Sequence, residues 1–133
     1  MIIYEQLFIY LYIGGIMKEC SHEEEHTGAA MRAKVNMPTD GDIFEVCAQL
    51  KAISEPSRFK ILLALRQGEM CVYHIVEAAG GTQSGVSHQL RILRDNRIIK
   101  SRRDGQNIVY SLADAHVTAL LELACAHLNC KFD

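Results

Sequence analysis

The sequence predicts a mainly α-helical chain with one small β-hairpin, arranged as a winged helix-turn-helix. Three observations carry this. Two short helical stretches are separated by the tight turn Gly80-Gly81. Apolar and polar residues alternate on either side of Asp104-Gly105, the pattern of a hairpin. The last helical stretch, Asp114 to about Asn129, is apolar at Val117, Leu120, Leu121, Ala124, Cys125 and Leu128, too wide a face for one small domain to cover. The N- and C-terminal helices are therefore expected to pair two copies into a homodimer.

The elements follow in order. Met1–Ile16 is apolar and aromatic, yet it carries Glu5, lacks a basic start and is too short to span a bilayer. Gly14-Gly15 just before Met17 is what a purine-rich ribosome-binding site would read as if translated, so Met17 is a candidate true start. A membrane-surface anchor and an added dimer helix are the alternatives. Residues 17–39, rich in Glu, His, Gly, Ala and Lys, read as a mobile tail, helical at most in part. The domain boundary is placed there: an extension over 1–39 and a DNA-binding and dimerisation domain over 40–133.

Ile43, Val46, Cys47, Leu50 and Ile53 recur at helical spacing, with Thr39 or Asp40 as cap. Ser54-Glu55-Pro56 breaks that helix and starts the next, whose buried stripe is Phe59, Ile61, Leu62, Leu63 and Leu65, with Gly68 at its end. Glu69–Ala79 reads as a short helix, and Thr82 caps another that runs to about Asn96. Ile98–Arg103 and Asn107–Ser111 are the hairpin strands. Gly85, a poor helix former, marks a close approach to backbone or DNA.

The chain carries a net charge of −2, so bulk charge gives no warrant for a nucleic-acid partner. Its distribution does: between Ser84 and Arg103 lie Arg91, Arg94, Arg97, Lys100, Arg102 and Arg103 against the single acid Asp95. The second helix of the motif would enter the major groove of double-stranded DNA by its first turns, presenting Gln83, Ser84, Ser87, His88 and Gln89 to base edges. Arg91 and Arg94, one turn on, and Arg102 and Arg103 on the wing are placed for phosphate. The alternative for His88 is a hydrogen bond within the fold.

Five cysteines, an odd number without a disulfide-like spacing or a secretory signal, fit a reduced, cytoplasmic compartment. Cys47 and Cys125 lie on apolar faces and read as packing residues. In the last helix, Asp114 and His116 stand at the start, His127 and Cys130 at the end. His116 and His127 share a face but lie eleven residues and about 16 Å apart. One helix cannot close a site with both; two such helices antiparallel across a dyad can. Asp114 and His116 of one chain with His127 and Cys130 of the other make a tetrahedral set suited to Zn(II), with Cd(II) or Co(II) as alternatives. The bland reading is a helix cap, two ordinary histidines and a frayed cysteine.

Leu50-Lys51-Ala52-Ile53-Ser54-Glu55-Pro56-Ser57-Arg58, then Glu69-Met70-Cys71-Val72, then Val86-Ser87-His88-Gln89-Leu90-Arg91-Ile92-Leu93-Arg94 resemble the ArsR/SmtB family of metal-responsive repressors, over roughly Phe44 to Leu128. The resemblance implies a dimer that holds operator DNA when metal-free and releases it when a metal ion binds as effector. It also implies ligands at Asp114, His116 and His127. Cys130 departs from the Glu or His usual there. By the same resemblance, His127 would reach the backbone near Arg97 through its second ring nitrogen.

Cys71 stands where the family has a ligand cysteine, with His74 one turn on. The family's arsenic and lead sensors carry a further Cys and an Asp where this chain has Tyr73 and His74. An optional second site would draw on Cys20, His22 and His26 of the tail with Cys71 and His74. The rival readings are a thiol-based redox or persulfide sensor using Cys71 with Cys20, and a buffering or structural zinc protein without specific DNA. No nucleophile–base pair or phosphate loop points to an enzyme.

Overall fold

The computed structural model describes residues 22–130; the expectations for residues 1–16 and for Cys20 lie outside them. The chain divides after Thr39 into two units.

In the first unit, residues expected to form a mobile tail make the 13-residue helix α1, Glu23–Val35. Its sequence is rich in helix formers, and Arg32 and Lys34 in the last turn meet the negative end of the helix dipole. Asn36 closes it by donating from Nδ2 to the Arg32 carbonyl at 2.8 Å. No apolar stripe organises this helix, and Met31, Val35 and Met37 are exposed.

The second unit holds α2 (Asp40–Ile53), α3 (Pro56–Arg66), β1 (Met70–Cys71), α4 (Val72–Ala79), α5 (Gln83–Asp95), β2 (Ile99–Asp104), β3 (Asn107–Leu112) and α6 (Ala115–His127). Asp40 and Asp42 occupy the first turn of α2, where acids suit the dipole. Pro56 opens α3, and Glu55 caps it by accepting from the Arg58 amide at 3.0 Å. That bond holds the Glu55 carboxyl below its ordinary pKa. Gly80 and Gly81 take φ of 82° and 90°, a left-handed path for which glycine is suited, and so make the turn between α4 and α5. Thr82 caps α5 by accepting from the Gly85 amide at 3.0 Å. A Cβ on Gly85 would stand 3.0 Å from the same Thr82 oxygen, a side-chain contact rather than the approach to backbone or DNA that was expected.

The expectation for Glu69–Ala79 needs correcting. Met70 and Cys71 are extended and pair antiparallel with Tyr110 and Val109, so the sheet has three strands in the order β1-β3-β2. Cys71, with ψ of 168°, ends the strand and caps α4. A two-residue strand leaves no periodicity to read, because its pairing partner lies some forty residues on.

The hairpin forms as expected around Gly105, in register from Ile99↔Leu112 to Asp104↔Asn107. Ile61, Leu62, Leu65, Ile75, Val86, Leu90, Leu93, Ile98, Ile99 and Leu121 fill one core. That core joins the two helices of the reading motif to α3, the sheet and α6. No described helix is long and apolar enough to cross a membrane.

Candidate DNA interface and metal-ligand pairs

The head of α5 presents Gln83, Ser84, Ser87 and His88 to solvent, while Val86, Leu90 and Leu93 are buried beneath them. The exposed set is therefore continuous along one face, as base-edge contact requires. Arg91 and Arg94 are also exposed; Arg91 Nε lies 4.0 Å from Asp95 Oδ2, a loose pair at the surface.

Gln89 departs from the others. Half-buried, it accepts through Oε1 from Arg58 Nη1 at 2.9 Å. The same guanidinium donates through Nε to the Ala52 carbonyl. Arg58 thus joins the last turn of α2 to the middle of the reading helix, and the Gln89 acceptor is committed inside the fold. Arg58 carries no local sign of this role in the sequence, because its partner is 31 residues away.

On the wing, strand alternation puts Arg102 and Arg103 on opposite faces. Arg103 is opposite Ile108, and Arg102 is opposite Val109, whose other neighbour is Cys71. Both arginines were expected to meet phosphate. Arg102, however, donates through Nη2 to Glu69 Oε1 and through Nε to Glu69 Oε2 at 3.3 Å, with Asp104 at 3.9 Å. The pairing lowers the Glu69 carboxyl's pKa and raises that of the guanidinium. Arg103 makes no ion pair among the described residues and is exposed.

The predicted ligands of the last helix fall into two pairs. Asp114 is the N-cap of α6: Oδ1 accepts from the His116 amide at 2.9 Å and the Val117 amide at 3.2 Å. The Val117 amide first, and then the His116 amide, hold its carboxyl below the ordinary aspartate pKa. His116 Nδ1 lies 3.5 Å from the same oxygen, and the ring is almost fully exposed. His127 and Cys130 are exposed at the far end. Among the described residues, no three His, Cys, Asp or Glu side chains of one chain gather as a metal site.

The donors expected for a second site are likewise in pairs. His22 and His26 stack loosely in the first unit, ring centroids 5.7 Å apart. In the second unit, Cys71 Sγ lies 3.3 Å from His74 Nδ1. The His74 amide, followed by its ring, pulls the Cys71 thiol below its ordinary pKa.

Cys125 is buried, as a packing residue should be, and burial raises its thiol pKa. Cys47 is not packed within the chain: it is exposed beside Phe44 (75%), Val46 (54%) and Leu50 (45%). Leu123 and Leu128 of the α6 segment are exposed as well, at 69% and 74%. The apolar periodicity was real, but these faces are left open by the chain's own core.

Comparison with known proteins gives this arrangement its family. A family model described as "bacterial regulatory protein, arsR family" matches residues 55–101, from the head of α3 into the first wing strand. The HTH-type transcriptional regulator NmtR of Mycobacterium tuberculosis is 43% identical over 101 residues, covering 75% of this chain and 84% of that protein. A cadmium resistance transcriptional regulatory protein CadC homologue of Staphylococcus aureus is 34% identical, covering 77% and 84%. Among solved structures, a homodimeric winged helix-turn-helix DNA-binding domain from Mycobacterium bovis aligns with a TM-score of 0.65 at 27% identity, over 71% of this chain and 90% of that one. With a winged helix-turn-helix of this form and relatives of this closeness, the chain belongs to the ArsR family of bacterial DNA-binding transcriptional regulators.

Proposed function

We propose that this protein is a homodimeric repressor that holds operator DNA when metal-free and releases it on binding Zn(II) or a similar ion at two sites shared between chains. The observation that carries this reading is the division of donors along α6. Asp114 and His116 sit at one end, His127 and Cys130 at the other, and exposed leucines lie on the same segment. An antiparallel partner helix would cover those leucines and bring each pair against its complement. The result is two sites of carboxylate, two imidazoles and thiolate, a donor set that fits Zn(II) and, through its sulfur, Cd(II). The S. aureus relative's name concerns cadmium resistance, which favours a metal effector here too. An operator-DNA partner supports a cytoplasmic location.

The switch is a shift of dimer populations. Metal binds better to a dimer geometry in which the two α5 helices no longer match successive major grooves. In the metal-free dimer, α5 and Arg103 engage the duplex. A titration of operator binding with Zn, Cd, Co, Ni and Cu, repeated with His127→Ala and Cys130→Ser, tests the reading. Release by metal that is lost in His127→Ala supports it; release unchanged in both variants removes α6 from the mechanism.

The Cys71–His74 contact favours a second reading, a thiol sensor beside the wing. Operator release by a thiol oxidant or persulfide donor, with none by metal, would select it.

A further inference from the structure

The end of α6 carries a feature that metal sensing does not use. Its chain turns back through a left-handed residue, Asn129 with φ of 54°. The Asn129 amide donates to the Ala126 carbonyl at 3.0 Å and the Cys130 amide to the Cys125 carbonyl at 2.9 Å. These two bonds define a Schellman C-cap, in which the side chain two residues beyond the cap folds onto the side chain three residues before it. The same motif ends α5: Arg97 has φ of 59°, and Arg97 and Ile98 donate to Arg94 and Leu93 at 2.9 and 3.0 Å. There the facing side chains are Leu93 and Ile98, both buried in one core. At the end of α6 the two equivalent positions are Cys125 and Cys130.

We propose that Cys125 and Cys130 are a redox pair whose disulfide withdraws Cys130 from the metal site, so that oxidation overrides metal sensing. This rests on the reading of Cys130 as a metal ligand. Two further observations support the pairing. The backbone bond from Cys130 to Cys125 closes the chain over six residues. Both thiols are free, Cys130 exposed and Cys125 only 5% so.

Exposure makes Cys130 the thiol that meets oxidant, and burial makes Cys125 the one that resolves it. A hydroperoxide oxidises the Cys130 thiolate to a sulfenic acid, its O–O bond breaking to release an alcohol or water. The Cys125 sulfur then attacks the Cys130 sulfur, and the departing hydroxide takes the Cys125 proton and leaves as water. Two thiols lose two electrons, the peroxide gains them, and one S–S bond forms. The oxidised cysteine can no longer donate a thiolate to a metal.

The full chain, treated with hydrogen peroxide and then alkylated, is digested with trypsin. Both cysteines fall in the single peptide Asp104–Lys131. The expected result is a peptide lighter by about 2 Da and closed to alkylation until reduced. Cys130→Ser, at an exposed position, removes that species without disturbing the core. In parallel, Co(II) binding is followed through its thiolate charge-transfer band, which oxidation abolishes in the parent chain and thiol reductant restores. In Cys125→Ala, which cannot close the disulfide, the same treatment leaves Cys130 as a sulfenic acid that dimedone traps.

An Asp104–Lys131 peptide that stays open to alkylation after peroxide overturns the redox pair and leaves the metal reading untouched. A disulfide that forms while the Co(II) band persists overturns the interlock and, separately, the assignment of Cys130 as ligand.

Discussion

Arg58 Nη1 donates to Gln89 Oε1 at 2.9 Å while Arg58 Nε bonds the Ala52 carbonyl, so one guanidinium holds the end of α2 to the centre of α5. In a dimer formed through α2, this places the reading helix one side chain away from the interface. Charge-assisted bonds to partly buried groups contribute more than neutral ones, and a planar fork fixes direction as well as distance. Arg58→Ala is therefore expected to weaken operator binding about tenfold, an effect of the size of one such bond. Arg58→Lys recovers little, because a single ammonium cannot bridge both acceptors in the same geometry. Fluorescence anisotropy with labelled operator measures the loss, and unchanged far-UV circular dichroism separates it from unfolding.

Arg103 and Arg102 are expected to behave differently, though adjacent. Each phosphate contact contributes about 0.9 to the slope of log K against log salt. Arg103→Ala should flatten that slope by about this amount. Arg102 is held by Glu69, so Arg102→Ala changes the slope less. Glu69→Gln frees the guanidinium and is expected to raise affinity at low salt. Equal effects of the two arginine substitutions would show that Glu69 does not restrain the wing.

The helix order, the glycine turn, the Thr82 cap and the hairpin were all legible, because each is written in neighbouring residues. What stayed hidden depends on partners distant in sequence. Met70–Cys71 became a strand only because β3 offers an open edge, and Gln89 turned inward only because Arg58 meets it. The Glu69–Arg102 pair spans 33 residues and gives no local sign. In the candidate metal site the donor types and their helix could be read directly. The cap role of Asp114 leaves its second carboxylate oxygen free of those bonds, since both amides use Oδ1.

Phe44 is expected to be an anchor of the dimer. It is 75% exposed on α2 with Val46 and Leu50 beside it, and covering such a side chain contributes about 2 kcal/mol. In a two-fold dimer the contribution counts twice. Phe44→Glu should shift the mass in sedimentation equilibrium toward the 14.9 kDa of one chain and abolish palindrome-specific DNA binding. A variant that remains dimeric would move the interface off α2.

Cys71 should be more reactive than Cys47 at neutral pH. Contact with His74 lowers its thiol pKa, so its thiolate fraction rises at a lower pH than that of an ordinary cysteine. Labelling with iodoacetamide from pH 6 to 9, read by peptide mass, should show Cys71 modified first, with its pH profile displaced downward. His74→Ala, which keeps the amide and removes the ring, should move the profile only part of the way back up. Similar profiles for Cys71 and Cys47 would remove the thiol-sensor reading.

Asp114 lets the two roles of one carboxylate be separated. Asn caps a helix about as well as Asp but supplies no negative charge to a metal, whereas Ala does neither. Asp114→Asn is expected to keep the metal-free melting temperature near that of the parent and to lose most of the metal-driven release. Asp114→Ala should lower both. The pH dependence follows from the depressed carboxyl. Because the folded state holds the proton less tightly than the unfolded state, the cap's stabilisation is full above the ordinary aspartate range. It is lost as pH falls through that range toward the lower folded value. Thermal melts of the metal-free parent and of Asp114→Asn should therefore differ in their acid limb, the parent losing stability more steeply as carboxylate becomes acid. Parallel acid limbs would mean that the bonds from His116 and Val117 do not favour the charged form.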